Sequence, residues 1–321
     1  MGIKRLNKYL SDINAIKIHD INKYFLSYQN SVIAIDVMLY AHKYKFSCDN
    51  IFSAFINQII HFLQNKIIPL YIIDGKAPSE KNDIINLRNN RKKKINEKIE
   101  FLKNQLKNDL LDKNLIIQKI NKLNKVNYNL DANFLNILIQ LFDIFNVPYI
   151  RADSEADILI SDLYKRDLIK LCLSEDTDLL TFGCKKVIKI YKKKIYEYDL
   201  DFILQKIDIN YNQFIEICIL FGCDYLKSNI KLNVFEIIDS YKKNLIFTNL
   251  SQKYMEKFEI TKNIYTQNYI QDYDIHINID FININDLILF IKNNCHDINY
   301  NKFKYQISFI NSLIKNNKFN C

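Results

Sequence analysis

The chain has 321 residues and a formal net charge of +9, with 49% hydrophobic and 25% charged side chains. That balance supports a buried core and excludes wholesale disorder, while the surplus of positive charge points to a polyanionic partner. The surplus is concentrated, because residues 76–125 hold 14 basic against 6 acidic side chains, leaving acidic residues free to cluster elsewhere.

Residues 31–36 (SVIAID) are a short β-branched run that predicts a buried strand ending on Asp36. Residues 49–66 repeat Ile51, Phe52, Phe55, Ile59 and Phe62 at helical spacing, and residues 69–74 (PLYIID) predict a second buried strand ending on Asp74. Residues 80–125 are helical in pattern and strongly basic, with Ile95, Ile99, Leu102, Leu106 and Leu110 in one stripe. A helix over 131–145 and a strand over 147–150 follow, and then a helix for which Ser154 is the expected cap. Residues 170–174 predict a strand running into Glu175, Asp176, Thr177 and Asp178. Two strands of a hairpin are expected over 187–191 and 194–198, and a helix over 212–221 that stops at Gly222 just before Asp224. Beyond Leu226 the pattern is helical with Asn-rich connections. Alternating strands and helices predict an α/β fold with a central, mostly parallel sheet flanked by helices.

Seven cysteines form no CxxC pair and no metal-like spacing with the five histidines, as expected of reduced thiols in a cytosolic or nuclear protein. No secretory leader or bilayer-length apolar run is read from the sequence, and Leu6 breaks a myristoylation pattern at Gly2. The expected setting is soluble and intracellular, without a membrane. Of the four glycines (Gly2, Gly75, Gly183 and Gly222), three lie within or beside acidic clusters.

A single aspartate after a strand is ordinarily a turn former or helix cap. Three strand ends bearing the same residue type are harder to explain that way, because ligand sites of parallel sheets form at the carboxyl ends of strands. Converging carboxylates repel unless cations neutralise them, and pairs at i and i+2 (Glu155/Asp157, Asp176/Asp178) can share an ion. Oxygen-only donors point to Mg²⁺ or Mn²⁺ rather than zinc. The physical reading is metal-dependent phosphoryl chemistry on a polyanion.

The stretches MGIKRLNKYL, VIAIDVMLYAHKY, PLYIIDGKAP, RADSEADILI, LSEDTDLLTFG and FIEICILFGCDYL resemble, in order, the successive blocks of the flap endonuclease/XPG family of 5′ nucleases, from Met1 to about Leu226. The resemblance implies a PIN-like 5′ nuclease fold. It implies a nuclease core over 1–226 that includes a basic helical gateway over 79–128, and a C-terminal helical region over 227–321 that packs on the core and holds DNA. Its metal carboxylates fall on Asp36, Asp74, Glu155, Asp157, Asp176, Asp178 and Asp224. They would hold two Mg²⁺ ions, with Mn²⁺ as a substitute. Asp157 departs from the family's usual glutamate. The gateway's catalytic Lys and Arg fall on Lys81 and Arg88, where they would stabilise charge on the scissile phosphate. Gly2, His42 and the run Arg91, Lys92, Lys93 and Lys94 fall at DNA contacts. His42 could stack on a base, as could Tyr40 or Tyr44, and core packing is an equal reading for any of the three rings.

The implied activity is flap endonuclease and 5′–3′ exonuclease cleavage of branched or flapped DNA in replication, repair or recombination, leaving 5′-phosphate and 3′-hydroxyl ends. A Holliday-junction resolvase of the same family, a PIN-type ribonuclease and a non-catalytic DNA scaffold are the alternatives. Residues 225–238 lack the family's glycine-rich hairpin, so Lys227, Lys231, Lys242 and Lys243 are candidates to hold the duplex instead. No clamp-binding motif is read near the C-terminus; replication and recombination proteins remain candidate partners. Compactness and AT-biased composition resemble members from large cytoplasmic DNA viruses, particularly poxviruses. A cytoplasmic location follows for a viral member and a nuclear one for a cellular member.

Overall fold

The computed structural model describes residues 2–107, 113–126, 130–267, 279–295, 301–316 and 319. Leu110 of the expected apolar stripe lies outside them. Helix α1 (Leu6–Asp12) leads into strand β1 (Lys17–Asp20) and helix α2 (Ile21–Leu26). Strand β2 (Val32–Asp36), helices α3 (Val37–Ser47) and α4 (Ile51–Gln64), and strand β3 (Ile68–Ile73) follow. Every position of β2 and β3 is buried, as uninterrupted apolar runs require when helices cover both faces of a parallel sheet.

The basic segment folds as α5 (Asn82–Lys107) and α6 (Lys113–Val126). After α7 (Ala132–Phe145) come β4 (Tyr149–Arg151), α8 (Ala156–Lys165), β5 (Leu171–Leu173) and the single turn α9 (Asp178–Thr181). The hairpin β6 (Lys186–Tyr191) and β7 (Lys194–Asp199) closes the sheet, and α10 (Leu200–Ile207) and α11 (Tyr211–Phe221) lead away from it. The C-terminal part contains α12 (Val234–Lys242), α13 (Gln252–Thr266), α14 (Ile284–Asn294) and α15 (Asn301–Lys315). No described helix is long and apolar enough to cross a membrane.

The sheet order is β1-β7-β6-β5-β2-β3-β4. Strands β2 and β3, β3 and β4, β2 and β5, and β5 and β6 pair in parallel, while β6–β7 and β7–β1 are antiparallel. From β2 the chain builds outward through β3 and β4, then crosses to the other side of β2 with β5. That reversal opens a crevice at the carboxyl ends of β2 and β5, where parallel sheets bind ligands. Asp36 closes β2, Asp74 directly follows β3, and Asp176 and Asp178 follow β5.

Strand β1 has no apolar run to announce it; it alternates half-buried and exposed residues along the sheet edge. Pairing with β7, an ion pair from Lys17 to Asp199 (2.8 Å) and the contact of His19 Nε2 with Glu197 (3.0 Å) hold it there. A second difference concerns α8. Its N-cap position is Glu155, not Ser154, and no side chain of its own segment caps it. The Asp74 carboxylate accepts the Ala156 N–H at 2.8 Å instead, so a neighbouring strand end supplies the cap.

Most of the apolar interior is one continuous core, with Tyr71 stacked on Phe142 (ring centroids 4.2 Å apart) near its centre. Helices α14 and α15 share it, tied in by paired hydrogen bonds between the Asn311 amide and the Ile282 backbone, each 2.9 Å. The gateway does not. Ile99 and Leu102 of α5 pack on Ile116 and Ile120 of α6, with Ile95, Leu106 and Leu123 around them, as a separate small cluster. Helix α5 has 26 residues, a length of about 39 Å at 1.5 Å per residue.

Candidate active site

Backbone donors at helix starts orient the acidic side chains. Asp36 caps α3, accepting the Leu39 N–H at 2.9 Å. Asp74 caps α8, whose first turn carries Asp157. The Asp176 N–H donates to the Ser174 hydroxyl at 2.9 Å, and Asp176 Oδ1 accepts the Asp178 N–H at 3.1 Å. Such caps stabilise helices by about 1 kcal/mol each, and here they also aim the remaining carboxylate oxygens into the crevice.

Asp157, Asp176 and Asp178 each offer an oxygen within 4.8 Å of the others. The Oδ1 atoms of Asp157 and Asp178 are buried with no hydrogen-bond partner. An orphaned, buried, negatively charged oxygen is costly, and two that converge are costlier still. Burial first, then repulsion from Asp176, pushes the carboxyls of Asp157 and Asp178 well above the usual range. Asp36 rises to about 8 through burial and the nearby Asp74. Burial also raises Asp74 and Asp176. Without a counter-ion the cluster therefore holds protons. The donor set is all oxygen, buried, converging and short of partners, which fits a hard divalent cation. Asp157, shorter than the family's glutamate, still reaches this cluster.

Glu155 and Asp224 are placed differently, because the gateway already occupies them. Lys81 Nζ lies 2.6 Å from Glu155 Oε1, and Arg88 Nη2 lies 2.6 Å from Asp224 Oδ2. Burial works against the Lys81 charge, yet the adjacent Glu155, with Asp157 and Asp178 beyond, holds its ammonium above the ordinary value. Lys81 ends a 3₁₀ turn (Ser79–Lys81) and Arg88 lies on α5, so the two cations reach different carboxylates across one crevice.

Gly2 lies against Asp176. It has φ +85°, and a Cβ there would sit 1.6 Å from Asp176 Oδ1, so only glycine fits. Of the three rings near Asp36, His42 lies close enough to the gateway to feel the charges of Lys92 and Arg88. Burial lowers its pKa first, then the charges of Lys92 and Arg88. Tyr40 is buried, and Tyr44 packs edge-on against Tyr40 and Phe55. Arg91, Lys93 and Lys94 are exposed on α5, and Lys92 is half-buried. Between α11 and α12, residues 222–233 form an irregular loop in which Gly222 (φ +96°) approaches the Ser228 backbone. Lys227 and Lys231 are exposed there. Lys242 donates to the Ile207 carbonyl (2.6 Å) and Lys243 pairs with Asp239 (2.7 Å), so these two are already engaged by the protein.

Sequence reasoning missed several residues at this site. Lys43 pairs with Glu175, and Lys189, its pKa lowered by burial, lies near Glu175 and Asp176. Tyr225 donates its hydroxyl to Glu155 Oε2 and lies under the Lys81 ammonium, 4.7 Å from Nζ to the ring centroid. The position directly after Asp224 was the available signal for Tyr225. No periodicity marks Lys43 or Lys189.

Residues 1–95 match the XPG N-terminal domain and residues 146–224 the XPG I-region, together more than half of the chain. Flap endonuclease 1 of Enterocytozoon bieneusi is 27% identical over 271 residues, spanning 77% of this chain and 72% of that protein. Flap endonuclease 1-A of Sorghum bicolor is 30% identical over 251 residues, spanning 71% and 63%. Among solved structures, flap endonuclease-1 from Methanococcus jannaschii superposes with a TM-score of 0.71 at 19% identity, covering 98% of this chain and 100% of that one. The catalytic core of Rad2 in complex with DNA substrate gives 0.69 at 14% identity, covering 96% and 100%. The structural likenesses give the fold class, a PIN-like α/β fold. With the two sequence models the assignment narrows, and the chain belongs to the flap endonuclease/XPG family.

Proposed function

We propose that the protein is a divalent-metal-dependent, structure-selective 5′ nuclease that cuts branched or flapped DNA. The observation that carries this reading is the meeting of two opposite arrangements. A buried carboxylate cluster with unpartnered oxygens faces a helical gateway whose Lys81 and Arg88 already pair with Glu155 and Asp224. The cluster cannot ionise fully without cations, and the gateway is a ready attractor for a phosphodiester strand.

Asp36, Asp74, Asp157, Asp176 and Asp178 would hold the cations at the crevice, with Glu155 and Asp224 at the gateway side. Mg²⁺ is the proposed resident ion, with Mn²⁺ able to replace it. When bound, such ions supply Lewis-acid activation of water and neutralise charge on the phosphate. Lys81 and Arg88 move their charge from carboxylate to phosphate oxygen as the strand enters, stabilising the charge that builds during in-line displacement. Arg91, Lys92, Lys93 and Lys94 attract the strand along α5, and His42, held neutral beside Arg88 and Lys92, presents a flat ring for a base. The C-terminal region holds the duplex through Lys227 and Lys231, which are exposed in the loop between α11 and α12.

The test is cleavage of end-labelled 5′-flap, nicked, bubble and four-way-junction DNA with Mg²⁺ or Mn²⁺. Flap cutting that stops with EDTA is the expected result. No cutting of any DNA, or cutting of RNA alone, would overturn the reading. Preference for the four-way junction would favour a resolvase, the activity suggested by the human GEN1 structure with Holliday junction DNA, which superposes with a TM-score of 0.66.

A further inference from the structure

Tyr225, Glu155 and Lys81 form a closed triangle in which each side chain touches the other two. The Tyr225 hydroxyl donates to Glu155 Oε2, Lys81 Nζ pairs with Glu155 Oε1 at 2.6 Å, and the same ammonium lies 4.7 Å from the centre of the Tyr225 ring. The ring itself is braced from behind. Tyr265 of α13 packs edge-on to it (centroids 5.6 Å apart, planes at 88°), and Tyr265 in turn packs on Phe182 (4.7 Å). Tyr265 is 1% exposed, and Phe182 directly follows the turn that carries Asp178. The brace therefore runs from the turn that carries Asp178, through the rings of Phe182, Tyr265 and Tyr225, to Lys81 at the foot of the gateway.

We infer that Tyr225 is a positioning residue that fixes the Lys81 ammonium relative to Glu155 and so couples the base of the gateway to the carboxylate site. The inference rests on the 5′ nuclease reading. Two kinds of restraint act on Lys81 at once, a charge-assisted contact and the negative face of an aromatic ring, and a long flexible side chain needs both to hold one position. The hydroxyl also reserves one oxygen of Glu155, leaving its other oxygen to Lys81 or to an incoming cation. Tyr225 touches neither phosphate nor metal in this role; it acts through the two groups that do.

A double-variant cycle tests the coupling. Tyr225→Phe keeps the ring and removes the hydroxyl, Tyr225→Leu removes both, and each is combined with Lys81→Ala. Under single-turnover conditions Tyr225→Phe is expected to slow flap cleavage about 10-fold, with the separately measured Kd for flap DNA little changed, the scale for loss of an orienting partner. Lys81→Ala is expected to slow it about 100-fold. The double variants should lose far less than the product of the single losses, because both changes break one unit. Losses that simply multiply would overturn the inference, and Tyr225→Phe decides the matter should Tyr225→Leu fail to fold. A readout independent of cleavage is the NMR position of the Lys81 ε-methylene protons. Ring current should place them upfield of those of exposed lysines in the parent and in Tyr225→Phe, and at the ordinary position in Tyr225→Leu. An ordinary position in the parent protein sinks the proposal. A parent that cuts no DNA fails the nuclease reading instead, and the NMR arm still decides the geometry.

Discussion

Gly2 and Asp176 are so close that any side chain on the first would overlap the second, with a built Cβ 1.6 Å from Oδ1. The contact ties the start of the described chain to the carboxylate that accepts the Asp178 N–H and belongs to the acidic cluster. Gly2→Ala is therefore expected to turn Asp176 away from Asp157 and Asp178, besides straining a backbone at φ +85° by about 1–2 kcal/mol. Mn²⁺ affinity, measured by titration calorimetry without DNA, should fall about 10- to 100-fold. Unchanged affinity would mean that Asp176 can yield at no cost to the site.

Asp178→Asn keeps the shape of the side chain but removes a charge from a cluster short of counter-ions. Cleavage should fall to background while flap affinity is retained. In EDTA at neutral pH the variant should melt above the parent, because a neutral amide occupies the buried position without the cost of keeping a proton there; a gain of about 1 kcal/mol corresponds to roughly 2–4 °C. A variant less stable than the parent in EDTA would show that the Asp178 charge is already compensated.

Metal-free protein should lose stability as the pH rises. Asp36 has its pKa at about 8, and Asp157, Asp178, Asp74 and Asp176 are also raised. Between the ordinary carboxylate range and about pH 8 the folded chain keeps protons that the unfolded chain has released. This contribution is full at low pH and is lost as the pH climbs through the folded-state values. Melting temperature in EDTA should fall between about pH 5 and pH 8, and millimolar Mg²⁺ should restore it most at the upper end. A slope that Mg²⁺ leaves unchanged would place its origin outside the site.

Replacing Arg91, Lys92, Lys93 and Lys94 with Ala should weaken binding of flap DNA and flatten its dependence on salt. At about 0.7 per phosphate contact on a single strand, loss of four contacts would lower the slope of log affinity against log salt by about 3. An unchanged slope would remove these residues from the path of the strand. Arg88→Ala, by contrast, should act mainly on the rate, by about 10²–10³-fold.

Legibility in the sequence followed the strength of the local signal. Strands β2, β3 and β5 were readable because each is an unbroken apolar run, and their acidic ends could be placed at one sheet edge by topology alone. Strand β1 was not, since four residues with a half-buried pattern are defined by their partner β7 and not by themselves. The expected cap at Ser154 lost to Asp74, a residue distant in sequence whose carboxylate arrives from the end of β3. Lys81 and Arg88, read together from the sequence as the gateway's cations, reach different carboxylates, Glu155 and Asp224 respectively. Tyr225 illustrates the general limit. Its meaning comes from a triangle closed across three separate segments, and no spacing along one of them carries it.

The gateway's separate cluster of Ile99, Leu102, Ile116 and Ile120 has a kinetic consequence. Burying four aliphatic side chains stabilises a helical pair only modestly, and the large core beneath gains little from it. Amide hydrogens along α5 and α6 should exchange through local opening, orders of magnitude faster than those of β2 and β3. The helical pair then opens and closes many times while the sheet beneath it stays folded.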